Sequence, residues 1–226
     1  TDQVNALHAL KQADQRKDEF LATLAHELRN PLAPIRQAVA LARSPKADAS
    51  RTAWALAVID RQASHMALLL EDLLDVSRIS RGRLELRMQP VVLEDVVNAA
   101  LEPAQPLIQT KGHRLSVDLP SEPVHFEGDP VRLAQVLSNL LSNAAKYTDP
   151  GGEIALRADP AHGQLVIAVQ DSGIGLSPQS QHDIFEMFSQ VASALHRSEG
   201  GLGIGLALSR GIAQLHGGRL EVHSEG

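Results

Sequence analysis

The chain has 226 residues, 43% of them hydrophobic but only 3% aromatic, and a formal net charge of −6. That is material for one large domain or two modest ones, with a core of Leu, Val, Ile and Ala that favours helix bundles and mixed α/β layers over β-sandwiches. No cysteine is present, which excludes disulfides, thiolate nucleophiles and Cys-based zinc sites, and the mild acidity does not suggest nucleic-acid binding, which needs a basic stripe.

No run of about 18 apolar residues occurs, so no membrane contact by this fragment is expected. Thr1 to Asp18 is polar and lacks the apolar region of a signal peptide. The first residue is not Met, so the chain reads as a piece of something longer. Together with the lack of cysteine this points to a reducing, cytoplasmic setting, compatible with a full-length protein anchored in a membrane.

Residues 1–80 read as helix. Leu21, Leu24, Leu28, Leu32, Ile35 and Val39 step by three and four, and after a break at Ser44-Pro45 so do Leu56, Ile59, Ala63, Met66, Leu70 and Leu73. Asp48 and Ser50 are candidate N-caps for the second helix. Two such helices form a hairpin whose apolar stripe is too wide to bury alone, so two copies are expected to close a four-helix bundle as a homodimer. Near Arg81-Gly82 the pattern changes. Residues 81–91 read as hinge and first strand, with that strand spanning Leu84–Val92, and residues 92–226 as a second domain.

In that domain a helix is expected at Leu93–Thr110, its end disturbed by Pro103 and Pro106, with strands at Arg114–Leu119 and Val124–Phe126. Asp129-Pro130 is a strong helix start, Asp as N-cap and Pro at the first helical position, for a helix to about Lys146. Strands follow near Glu153–Ala158 and Gln164–Gln170. Residues 172–203 read as a long polar loop, Leu206–Leu215 as a helix and Arg219–His223 as a strand. The architecture is a two-layer α/β sandwich, helices on one face of a mixed sheet.

His26 lies off the Leu21–Leu24–Leu28 stripe and should face solvent, with Asn30 one turn later on the same face. Glu27 beside the ring can accept the Nδ1 proton and fix the tautomer, leaving the Nε2 lone pair for attack on phosphorus. A surface His beside a surface Glu is the plain alternative. Pro31 and Pro34 weigh against it, because each interior proline costs a helix about 3 kcal/mol and a plain bundle helix would not carry two.

On the helix from Pro130, Asn139, Asn143, Lys146 and Tyr147 fall at i, i+4, i+7 and i+8, a polar stripe opposite the leucines. One amide oxygen suits Mg²⁺, and lysine suits phosphate. A solvated face is the alternative. Asp171-Ser172-Gly173-Ile174-Gly175 ends a strand with a carboxylate able to accept from an exocyclic amine and glycines that admit a flat ring. Gly200-Gly201-Leu202-Gly203-Ile204-Gly205-Leu206 opens a helix with glycines suited to phosphate, or to a hinge; it lacks the Gly-Lys-Ser/Thr of a Walker loop.

Together and in this order, five motifs resemble the catalytic core of bacterial sensor histidine kinases. HELRNPL at His26–Leu32 resembles the H-box of the dimerisation and phosphotransfer domain. NLLSNAAKYT at Asn139–Thr148 resembles the N-box, DSGIG at Asp171–Gly175 the first glycine box, Phe185-Glu186-Met187-Phe188 the F-box, and GGLGIGL at Gly200–Leu206 the second glycine box.

The resemblance implies a helical hairpin followed by a Bergerat (GHKL-like) ATP-binding sandwich, with ATP and Mg²⁺ as cofactors. It implies His26 as phosphoacceptor, Glu27 as its base, and Asn30 as a residue that positions water in dephosphorylation. It gives Asn143 to Mg²⁺ with Asn139 assisting, Lys146 to phosphate, Tyr147 to stacking near adenine and Asp171 to the adenine amine. Gly173 and Gly175 begin a lid that Phe185 and Phe188 anchor and Gly201, Gly203, Gly205 and Leu206 close, with Arg197 toward the γ-phosphate. Implied partners are a second copy and a response-regulator receiver domain; an upstream sensor domain is absent from this chain. The family continues past Gly226 into another strand. Competing expectations are a gyrase- or chaperone-type ATPase, a nucleotide-binding dimeric scaffold, and a phosphatase-dominant member.

Overall fold

The structure, a computed structural model, describes residues 2–44, 48–161, 163–186 and 203–225, with the backbone path alone for 2–20 and 161. Two compact units emerge, Thr1–Leu74 with Gly200–Ile204, and Asp75–Glu199 with Gly205–Gly226. No helix among the described residues is long and apolar enough to cross a membrane.

The hairpin is α1 (Asp2–Ala42) and α2 (Ala49–Ser80). Helix α1 continues through Pro31 and Pro34; each ring removes a donor, so the carbonyls of Glu27 and Asn30 lack their helical N–H. Asp48 caps α2, its Oδ1 accepting from Arg51 N at 2.8 Å. Near the connection Ala38 packs with Ala55 and Val58, flanked by Leu41, Ala42 and Ile59. These small residues bring the helices close but bury little apolar surface.

The second unit contains β1 (Gln89–Val92), α3 (Leu93–Thr110), β2 (Arg114–Asp118), β3 (His125–Gly128), α4 (Pro130–Tyr147), β4 (Glu153–Ala161), β5 (Gln164–Asp171), α5 (Pro178–Asp183) and α6 (Gly205–Leu215). The main sheet runs β2-β4-β5 and is mixed. β2 is parallel to β4, Arg114 opposite Glu153, and β4 is antiparallel to β5, Ile154 opposite Asp171. A separate antiparallel ribbon pairs β1 with β3. On β5 Leu165, Ile167 and Val169 alternate with exposed Val166, Ala168 and Gln170. That period of two presents one apolar face. On it sit Ile154 and Leu156 of β4, covered by Val96, Val97, Ala100 and Ile108 of α3 and Leu137, Leu141 and Ala144 of α4.

Four local expectations change. Of the strand expected at Leu84–Val92 only Gln89–Val92 pairs; before it Leu84 is buried and Arg87 N donates to the Asp129 carboxylate, not to a ladder. Helix α3 runs to Thr110 through Pro103 and Pro106, because the carbonyls they orphan, on Ala99 and Glu102, belong to exposed residues open to water. The polar loop contains α5, started by Ser177 Oγ accepting from Ser180 N at 3.1 Å. Residues 219–223 form no strand. Their burial alternates, but no ladder partner takes them among the described residues; the segment is held instead by Leu176 N donating to Ser224 Oγ and Gln181 Nε2 to Ser224 O, both at 2.9 Å.

Candidate active site

His26 projects from α1 with its side chain 69% exposed, while the neighbouring Glu27 side chain is only 12% exposed. The ring's Nδ1 lies 3.3 Å from Asn30 Nδ2 and 3.9 Å from Glu27 Oε1. The second distance is too long for a hydrogen bond but short enough for charge to act. Asn30, one turn on, is therefore the hydrogen-bonding partner of Nδ1, the role read in sequence for Glu27. Its amide can donate to Nδ1 or, turned over, accept Nδ1–H through Oδ1. The second arrangement puts the lone pair on Nε2, on a side chain that is mostly exposed.

The second constellation is built on α4. Asp129 starts it, Oδ1 accepting from Val131 N at 3.2 Å and Arg132 N at 3.1 Å ahead of Pro130. Asn139, Asn143, Lys146 and Tyr147 are half-buried along it, and the Lys146 ammonium lies 5.5 Å from the centre of the Tyr147 ring. Asn139 Nδ2 donates to Ser209 Oγ of α6 at 3.0 Å. A side chain at Gly205 would collide with the Asn139 amide. Asn139 thus ties α4 to the start of α6, and Gly205 permits the approach.

At the end of β5, Asp171 Oδ1 accepts from Gly173 N at 2.8 Å and from Thr148 Oγ1 at 3.5 Å, Thr148 being buried. A Cβ on Gly173 would sit 2.6 Å from that oxygen and 2.7 Å from the Tyr147 carbonyl. Only glycine lets this turn lie on the end of α4. Gly175 and Gly203 take φ of 65° and 64°, where side chains are strained. Phe185, just after α5, carries the Arg210 guanidinium 5.5 Å above its ring. The two amides and the lysine thus lie along α4, with Asn139 tied to α6 and the Asp171 turn lying on the end of α4; amide, ammonium and carboxylate are groups chemically suited to phosphates and an amine-bearing base. Phe188, Arg197 and Gly201 lie outside the described residues, and Leu206 is half-buried in the first turn of α6.

A family model described as His Kinase A (phospho-acceptor) domain matches residues 16–82, and one described as histidine kinase-, DNA gyrase B-, and HSP90-like ATPase matches residues 128–226. The first, bearing His26, separates this chain from gyrase- and chaperone-type ATPases. The chain belongs to the sensor histidine kinases. It is 34% identical to the circadian input-output histidine kinase CikA of Synechococcus elongatus over 98% of this chain and 30% of that protein. It is 36% identical to the sensor protein GacS of Pseudomonas syringae over 94% of this chain and 24% of that one, and so spans less than a third of either relative. Histidine kinase AdeS of Acinetobacter baumannii shares the fold, with TM-score 0.64 at 23% identity, covering 89% of this chain and 92% of that chain. Full-length ShkA, solved in complex with AMPPNP, aligns with TM-score 0.63 at 30% identity, covering 87% and 41%.

Sequence reading missed the side chains that brace this kinase core. His113 is buried, its Nε2 donating to Ala145 O at 2.9 Å, and Lys111 Nζ donates to Lys146 O at 3.0 Å, so both cap the end of α4. His216 Nε2 accepts from Asp129 N at 3.0 Å and its Nδ1–H donates to Ile212 O at 2.9 Å, joining the end of α6 to the start of α4. These partners are distant in sequence, so no local signal marks them.

Burial of Asp129 works to raise its pKa, but N–H donation from Arg87, Arg132 and Val131 and the Arg132 charge outweigh it and hold the carboxyl below its usual range. A depressed carboxyl stabilises the fold above its unfolded pKa, and that stability is lost as pH falls through the folded value. Asp129→Asn should therefore melt lower than the parent at neutral pH, with the gap closing as pH drops below about 4. Melting curves at stepped pH check this; a gap constant with pH would refute it.

Proposed function

We propose that this kinase core binds Mg-ATP and transfers the γ-phosphoryl group to His26, from which it passes to an aspartate of a response-regulator receiver domain. The observation that carries the reading is an exposed histidine with Asn30 and Glu27 at Nδ1, in one chain with an ATP-binding fold. In the transfer, the Nε2 lone pair forms the N–P bond as the bond from the γ-phosphorus to the bridging oxygen breaks and ADP leaves in line. Asn30 Oδ1 holds Nδ1–H, and the Glu27 carboxylate stabilises the positive charge that grows on the ring.

Asp171 accepts from the adenine amine, Gly173 and Gly175 admit the ring, Tyr147 packs beside it, and Lys146 meets phosphate. Asn143 offers an amide oxygen. Together with phosphate oxygens and water, that oxygen would supply the hard ligands Mg²⁺ takes. When bound, Mg²⁺ neutralises phosphate charge. The likeness to ShkA, solved with AMPPNP, supports the nucleotide assignment.

Incubation with γ-labelled Mg-ATP should yield acid-labile, alkali-stable label on the peptide carrying His26. ATP binding without label would instead favour a nucleotide-binding scaffold. The Asn30 contact to His26 also suits a phosphatase activity toward the receiver, which loss of label from a phosphorylated receiver would reveal.

Leu21, Leu32, Leu56, Leu68, Leu70 and Leu74 are 45–61% exposed on the hairpin. A second copy covering them would recover about 1.5–3 kcal/mol per fully buried leucine, so the working state is a homodimer. Leu56→Glu with Leu70→Glu should weaken the dimer at least about 100-fold, measured by light scattering across dilution. A parent that is monomeric at every concentration would overturn the dimer. We place the working protein in the cytoplasm, downstream of a sensor domain carried elsewhere in the full-length protein.

A further inference from the structure

Helix α2 is continuous to Ser80, yet its last turns belong to the ATP-binding unit, which begins at Asp75. Asp75 is 3% exposed. Its two carboxylate oxygens meet the Arg132 guanidinium, Nη1 on Oδ2 and Nη2 on Oδ1 at 3.1 Å, with Arg78 Nη1 a further 3.4 Å from Oδ1. Gln135 Oε1 accepts from the same Arg132 Nη1 at 2.9 Å. One turn on, Val76 is buried, and a Cβ on Gly211 of α6 would lie 2.9 Å from two carbons of Ile79, so α6 touches α2 through bare backbone.

A two-pronged guanidinium on a carboxylate holds one relative geometry, and parting the two would exchange both charge-assisted hydrogen bonds for water. A pivot at Arg81-Gly82 would have to part them in every cycle. Arg132 lies on the first turn of α4, the helix that carries Asn139, Asn143, Lys146 and Tyr147.

Resting on the kinase reading above, we propose that Asp75 and Arg132 are positioning residues for phosphotransfer. They weld the end of α2 to α4, so that the nucleotide helix travels with it as one body, and the pivot that brings ATP to His26 lies in α2 ahead of Asp75.

The chain contains no cysteine, so a disulfide from Ile79→Cys with Gly211→Cys can be installed without competing thiols, and the close approach suits it. Oxidised and reduced forms should label His26 at rates within about twofold. Labelling that stops on oxidation and returns with reductant would put the pivot after Ile79 and overturn the weld. In parallel, Asp75→Asn should lower the labelling rate at saturating ATP about tenfold or more, while affinity for a fluorescent ATP analogue stays within about threefold and Asp75→Glu restores part of the rate. An unchanged rate, or a loss confined to ATP affinity, would refute the positioning role. Should Asp75→Asn not fold, the disulfide decides. A parent that takes no label refutes the kinase reading itself, and the weld's role with it.

Discussion

His26→Gln is expected to take no label from γ-labelled ATP, a loss of more than about 10⁴-fold, as when other enzymes lose a nucleophile. The amide nitrogen of glutamine shares its lone pair with its carbonyl and cannot attack phosphorus. Affinity for ATP should be unchanged, because His26 belongs to the first unit and Asn143, Lys146 and Asp171 to the second. Glu27→Gln preserves size but removes the charge 3.9 Å from Nδ1, and should slow labelling about 10²-fold. Asn30→Ala removes the hydrogen-bonding partner at 3.3 Å and should slow it about tenfold, a supporting-residue effect. Label that persists in His26→Gln, mapped by mass spectrometry, would mean the acceptor lies elsewhere.

Where a signal is local, the sequence states it and the structure repeats it. Helix α4 is the clearest case. Asp129-Pro130 reads as a start and is one, the leucines reach the core, and Asn139, Asn143, Lys146 and Tyr147 remain half-buried on the other side. The exposure of His26 is equally legible, since it follows from the angle between a residue and the apolar stripe.

What was illegible depends on pairing across the chain. Residues 219–223 alternate like a strand, but alternation describes two faces and says nothing of whether a neighbour supplies a ladder. Helix α5 was announced by Ser177-Pro178, yet without apolar periodicity the signal drowned in a polar loop. Asp75 is the most instructive residue. A carboxylate amid Leu73, Leu74 and Val76 is a visible anomaly, but its partner is 57 residues away, and only the fold reveals it. Asn30 shows a finer limit. Sequence places it near His26, but whether it or Glu27 bonds Nδ1 is decided by 3.3 Å against 3.9 Å.

Asp171→Asn should lower affinity for ATP about 10²-fold with little change in melting temperature. Its Oδ1 is committed inward, to Gly173 N and Thr148 Oγ1, and on the reading proposed above Oδ2 is the oxygen that meets the adenine amine. Asparagine cannot serve both sides. With its oxygen inward, its NH₂ faces the adenine NH₂; with its oxygen outward, its NH₂ faces the Gly173 N–H. In each case two donors oppose, and a hydrogen bond to a charged acceptor, worth about 1.5–3 kcal/mol, is lost. The outward NH₂ can meet the carbonyl oxygen of guanine, so preference for ATP over GTP should narrow as well. The aspartate is exposed and outside the core, which is why stability should hold. Thr148→Val, which removes only the longer bond, should cost a few-fold. Calorimetric titration of both variants with ATP and GTP checks this, and an ATP affinity of Asp171→Asn within about threefold of the parent would show that the carboxylate does not read the base.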